Sequence, residues 1–91
     1  MYELYEILRE SQFPVKSTQI SEALGVTTPT VRELVNELRC EGYPICSSHK
    51  GYYIATSYDD LKRTIASMEH RVEAMNDAIL GMKLALDELG G

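Results

Sequence analysis

At 91 residues the chain has the length of one domain, and a domain that small buries a modest share of its surface, so extra stability from self-association is expected. Hydrophobic residues at 44% and charged residues at 25% fit a soluble globular chain and exclude a disordered, collagenous or membrane-embedded one. The net charge of -5 argues against a phosphate-rich partner, because proteins that bind one usually carry a basic excess.

No apolar run approaches the roughly 20 residues that span a bilayer. The opening MYELYEILRE has no basic stretch leading into a hydrophobic one, so no membrane association and a cytoplasmic location are expected. Cys40 and Cys46 are too few for a disulfide framework and lack a second pair at metal-ligand spacing. Reduced thiols, no zinc site and no cofactor follow as expectations.

Leu4, Ile7 and Leu8 recur at helical spacing, which predicts a first helix from Tyr2 to about Glu10, ended by Ser11, Gln12, Phe13 and Pro14. A second start signal stands at Ser17 and Thr18. Ile20, Ala23 and Leu24 follow on one face, and Gly25 supplies the left-handed conformation that a helix end often needs. Thr27 and Thr28 offer cap oxygens and Pro29 suits a first helical turn. With Val31, Leu34, Val35 and Leu38 as its apolar stripe, a third helix is predicted from about Pro29 to Glu41.

Gly42 closes that helix. Tyr43, Pro44, Ile45 and Cys46, a polar Ser47 to Gly51 stretch, and Tyr52, Tyr53 and Ile54 then read as two short strands around a turn. Ser57 with Asp60 has the form of a capping box, and one proline-free helix can run from Tyr58 to Leu89. Two parts result: residues 1–56, and a long helical extension over 57–91.

The order helix, helix, glycine turn, helix, hairpin matters more than any single residue. Two helices joined by a short turn present the later one as a protruding rod that fits the DNA major groove. Ile20, Ala23, Leu24, Val26, Val31, Val35 and Leu38 are the positions expected to lock the pair together. Thr28, Thr30, Arg32, Glu33, Asn36 and Arg39 are left facing outward.

At Leu38-Arg39 with Gly42, and again at Lys50-Gly51-Tyr52, the segment resembles the winged helix-turn-helix of the biotin operon repressor type, over roughly residues 2–55. The resemblance implies a mainly α, small α+β fold with a two-stranded wing. It also implies that the third helix reads double-stranded DNA through Thr28, Thr30, Arg32 and Asn36, with His49 and Lys50 as wing contacts; Arg39, outward on the same helix, is a further DNA-binding candidate by its position. Residues 57–91 do not read as a biotin-binding or ligase segment, so none of that chemistry is expected to carry over.

Each of these residues also has a plainer reading. Arginine pairs bidentately with guanine, but Arg32 can equally pair with Glu33 or Asn36 on a solvated face. Asn36 stands between the same alternatives. Thr28 and Thr30 lie where helix N-termini favour anions, although capping is expected of Thr28 in any case. His49 and Lys50 sit at a turn tip, which is polar in most proteins.

Charge opposes the DNA reading. Residues 1–56 hold Arg9, Lys16, Arg32, Arg39 and Lys50 against Glu3, Glu6, Glu10, Glu22, Glu33, Glu37 and Glu41, a net of -2, and residues 57–91 carry -3. Sequence-independent affinity comes mostly from phosphate neutralisation, so weak nonspecific binding and a shallow salt dependence are expected.

From Leu61 onward, Leu61, Ile65, Met68, Val72, Met75, Ile79, Met82, Leu86 and Leu89 alternate steps of four and three, a heptad seam over about four repeats. Ile65, Val72, Ile79 and Leu86 take position a, and the others take d. β-Branched residues at a with unbranched ones at d favour a parallel two-stranded coil, although Ala78 and Ala85 also allow close antiparallel packing. About 32 helical residues span about 48 Å, whereas a compact domain of 56 residues is roughly 25 Å wide. Nine apolar side chains left in water forgo on the order of 15 kcal/mol, which predicts burial against a copy of the same chain. Leu80 and Leu84 lie off the seam beside Gly81 and suggest a second contact, used by a tetramer or a partner protein.

The expected function is therefore a homodimeric, sequence-specific DNA-binding protein. It is read as a transcriptional regulator, or as a replication-associated protein of the phage or mobile-element type. The alternative is an acidic protein-interaction module on a winged-helix scaffold, such as an inhibitor of a nucleic-acid enzyme. His70 lies beside Glu69 and Arg71 like any surface residue, and no histidine, cysteine and carboxylate fall at catalytic spacing, so no enzyme is expected.

Overall fold

The computed structural model describes residues 2–90. Its elements run α1 (Tyr2–Glu10), α2 (Ser17–Leu24), α3 (Thr28–Cys40), β1 (Ile45–Ser48), β2 (Gly51–Ile54) and α4 (Tyr58–Glu88). The chain divides between Leu61 and Lys62 into two compact units.

In the first unit, Leu4 and Leu8 from α1, Ile20 from α2, Val31, Val35 and Leu38 from α3 and Ile45 from β1 form one buried cluster. Burying each such side chain contributes about 1.5 to 3 kcal/mol, which makes this cluster the main source of stability in the unit. Tyr5, Val15, Leu24, Val26, Leu34, Tyr43, Tyr52 and Ile54 pack around it, partly buried. The Tyr43 ring meets Tyr5 edge-on at 4.7 Å and Tyr2 at 5.9 Å, closing the α1 side. The Glu41 carboxylate, and then Tyr43, hold the Tyr2 hydroxyl above its ordinary pKa.

Ala23, expected in the core, is exposed. Successive residues of a helix turn by about 100°, so Ser17, Ser21 and Leu24 all fall to one side of Ile20 while Ala23 falls to the other. Ser17, Ser21 and Leu24 are half-buried and Ile20 fully buried, so α2 rolls toward that side and turns the small alanine to solvent.

β1 and β2 pair antiparallel, with Ile45 opposite Ile54, Cys46 opposite Tyr53, Ser47 opposite Tyr52 and Ser48 opposite Gly51. The strands are longer than the polar Ser47 to Gly51 stretch suggested, and the turn shrinks to His49 and Lys50. Val15 adds a third row to the sheet: its N–H donates to the Tyr52 carbonyl at 2.8 Å, and the Tyr52 N–H donates back at 2.9 Å. Three helices with a wing of this kind make a winged helix-turn-helix.

Most of the second unit is α4, which begins at a cap shared by two residues. The Asp60 N–H donates to Ser57 Oγ at 3.1 Å, while Asp60 Oδ2 accepts from both the N–H and the hydroxyl of Thr56. The expected box is thus present, with its return bonds moved one residue earlier. At about 1.5 Å per residue, the 31 residues of α4 extend about 46 Å. Along it Ile65, Val72, Met75, Ile79, Met82 and Leu86 are exposed, as are Leu80, Leu84 and, just past its end, Leu89, while Leu61 and Met68 are half-buried. Among the described residues, no helix is long and apolar enough to cross a membrane.

Candidate nucleic-acid interface

The turn between α2 and α3 is held from both sides. Gly25 adopts φ +67°, and its N–H bonds the Ser21 carbonyl, which also accepts from the Val26 N–H at 3.1 Å. The Ser21 hydroxyl donates to the Val26 carbonyl. Two groups of one serine therefore tie the residue that leads into α3, and the angle between the helices is fixed by hydrogen bonds as well as by packing. At its other end α2 is closed by Gln19, whose Oε1 accepts the Lys16 N–H at 3.0 Å.

The cap of α3 is Thr27, not Thr28. Thr27 is extended, and its Oγ1 accepts the Thr30 N–H at 3.3 Å and lies 2.9 Å from the Thr30 hydroxyl. Thr28 is the first helical residue, followed by Pro29, whose missing N–H costs nothing there. At the far end the Tyr43 N–H reaches the Leu38 carbonyl and the Gly42 N–H reaches the Arg39 carbonyl, both at 3.0 Å, with Gly42 at φ +98°. This paired closure stops α3 sharply and sends the chain into β1.

Between these ends, Arg32 and Asn36 stand exposed and four residues apart, one turn above the other on the same helical face. Thr28 and Thr30 are half-buried in the first turn. Arg39 faces the wing: it is half-buried, its Nε donates to the Ile45 carbonyl at 2.9 Å and its guanidinium reaches Ser47 Oγ at 3.4 Å. In this position it clips β1 to α3.

His49 and Lys50 are exposed at the wing tip, where the Lys50 N–H donates to Ser48 Oγ at 3.1 Å. Two elements, α3 and the wing, thus bring polar groups to the surface. The start of α3 offers Thr28 and Thr30, its middle offers Arg32 and Asn36, and the wing offers His49 and Lys50. Thr27 and Val15 organise this surface: the sequence offered Thr27 as a cap beside Thr28 without choosing between them, and Val15 escaped its reading. A Ser/Thr pair before a proline signals a cap without saying which member supplies it, and one bridging residue leaves no alternating pattern.

The sequence pattern of a family described as HTH domain matches residues 1–53. The chain belongs to this helix-turn-helix family. The match takes in α1, the α2–turn–α3 unit and most of the wing of the HTH domain, and stops before α4. A similar protein is the "Probable transcription repressor NiaR" of Thermotoga maritima, 29% identical over 77 residues that cover 85% of this chain and 43% of that protein. The chain thus spans less than half the length of this curated relative. Because 77 aligned residues exceed the 53 of the HTH domain, the similarity extends beyond it. No solved structure matches the chain significantly.

Proposed function

We propose that this chain is a homodimeric, sequence-specific DNA-binding regulator of transcription. α3 enters the major groove, and the hairpin acts as a wing beside it. The observation that carries this reading is the pair Arg32 and Asn36, exposed one turn apart on the middle of the helix that follows the turn. Arginine reads guanine and asparagine reads adenine by bidentate bonds in the major groove, so the pair suits direct recognition of adjacent bases. Thr28, Thr30, His49 and Lys50 serve as contacts around it, and Arg39 acts through the wing it holds. The repressor named from Thermotoga maritima, similar over most of this chain, supports the same class of function. The Leu38-Arg39, Gly42 and Lys50-Gly51-Tyr52 signatures favour the biotin operon repressor type of wing.

Dimerisation rests on α4. Its seam from Leu61 to Leu89 keeps a strict heptad and is largely exposed in one copy, so a second copy is the simplest cover. Pairing two heads doubles the contacts available to a chain whose net charge of -5 limits nonspecific attraction. The segment over residues 57–91 is accordingly read as the oligomerisation element.

Selection of bound duplexes from a random pool, with affinity followed from about 50 mM salt upward, tests the proposal. A recurring motif with two half-sites is expected. Absence of any preferred sequence together with no binding at the lowest salt overturns it.

A further inference from the structure

The carboxylates of the first unit are not spread evenly. Residues 11–21 and residues 42–58 contain no aspartate or glutamate, whereas Glu3, Glu6 and Glu10 lie in α1, Glu22 in the second half of α2, Glu33 and Glu37 in α3, and Glu41 at its end. These two acid-free segments are far apart in sequence and adjacent in the fold. Val15 exchanges both backbone hydrogen bonds with Tyr52. The next residue, Lys16, brings its backbone nitrogen to 2.8 Å from the position a Cβ on Gly51 would take.

Lys16 therefore stands beside the residue that follows Lys50, and standard backbone dimensions place the two lysine Cα atoms within about 10 Å of each other. Both are exposed, and neither forms a salt bridge among the described residues. His49 is exposed on the same hairpin tip. The first turn of α2, next to Lys16, and the first turn of α3 are also free of acidic side chains. Two unpaired cations on a surface cleared of carboxylates make a local positive potential that the chain's overall acidity conceals.

We infer that the joined surface of residues 11–21 and the wing is a binding site for the phosphodiester backbone of duplex DNA, with Lys16 and Lys50 as its paired phosphate contacts. This rests on the DNA-binding reading above and adds Lys16 to it, a residue outside the reading helix and the wing. A phosphate contact carries no sequence information but fixes the register of the protein on the duplex. The Val15–Tyr52 bridge is what lets the α1–α2 connection and the wing act on the backbone together.

Full-length Lys16→Gln, Lys50→Gln and the double variant are to be titrated at several salt concentrations against a selected duplex and a random-sequence duplex. Each single change is expected to weaken both duplexes by a similar factor and to lower the slope of log K against log salt by about one per subunit, and the double change by about two. Lys16→Arg should restore the wild-type slope, whereas Lys83→Gln on α4 should leave it unaltered. A wild-type slope in Lys16→Gln, or a loss in Lys16→Gln that Lys16→Arg does not recover, overturns the site while leaving DNA binding intact. Failure of the wild-type chain to bind any duplex overturns the DNA reading itself, and this site with it.

Discussion

The backbone of Val15 occupies the place that a side chain on Gly51 would need. A Cβ built on Gly51 would lie 2.5 Å from the Val15 carbonyl carbon and 2.6 Å from its oxygen, and Gly51 has φ +130°, a conformation that residues with side chains rarely adopt. The wing can join Val15 only because this position is glycine.

Gly51→Ala should therefore break the Val15–Tyr52 row, by steric overlap and by backbone strain together. A loss of about 3 kcal/mol is expected, read as a lower urea midpoint with little change in slope. Gly81 on α4 has no heavy atom near its missing Cβ and an ordinary φ. Gly81→Ala should accordingly raise helix stability by up to about 1 kcal/mol.

Arg32→Ala removes an exposed side chain, so the unfolding free energy should stay within about half a kcal/mol of wild type. Binding to the selected duplex should weaken by about 1 to 3 kcal/mol, with relaxed preference at one base position. Competition among single-base variants of the selected site checks both parts.

Arg39→Ala is predicted to behave in the opposite way. It leaves the Ile45 carbonyl without its partner and frees β1 from α3, so stability should fall by about 1 to 3 kcal/mol, seen in denaturant melts. DNA affinity should fall less steeply than in Arg32→Ala once the comparison is made well below the melting temperature.

Ile79→Glu places a charge on the seam of α4. The wild-type chain is expected to sediment as twice its 10.3 kDa at micromolar concentration and the variant as a single chain. Leu80→Glu, one residue away and off the seam, should retain the pair.

Much of the head could be read from spacing alone. Leu4 and Leu8, Val31, Val35 and Leu38 recur at helical intervals and are buried, and Gly25 and Gly42 end helices in left-handed conformations. What spacing could not supply were choices between neighbours and contacts across the chain. Thr27 and Thr28 have the same chemistry, and the residue that is extended becomes the cap. Ala23 and Leu24 share an apolar label, and the bulkier one packs against the core while the alanine faces solvent. Arg39 shows the limit for the interface: its charge reads as outward, yet its inward bonds depend on where β1 passes, which no local pattern states.

The two cysteines differ in a way that gives the protein an internal clock. Cys40 is exposed, whereas Cys46 has no accessible surface and its thiol approaches the Asp60 carbonyl at 3.6 Å. A thiol reagent should consume one equivalent at once and the second only as fast as the hairpin detaches, so the slow phase times the opening of the head. Any bound molecule that grips the hairpin would lengthen that delay, and affinity could be followed by chemistry at a sulfur atom that the ligand never touches.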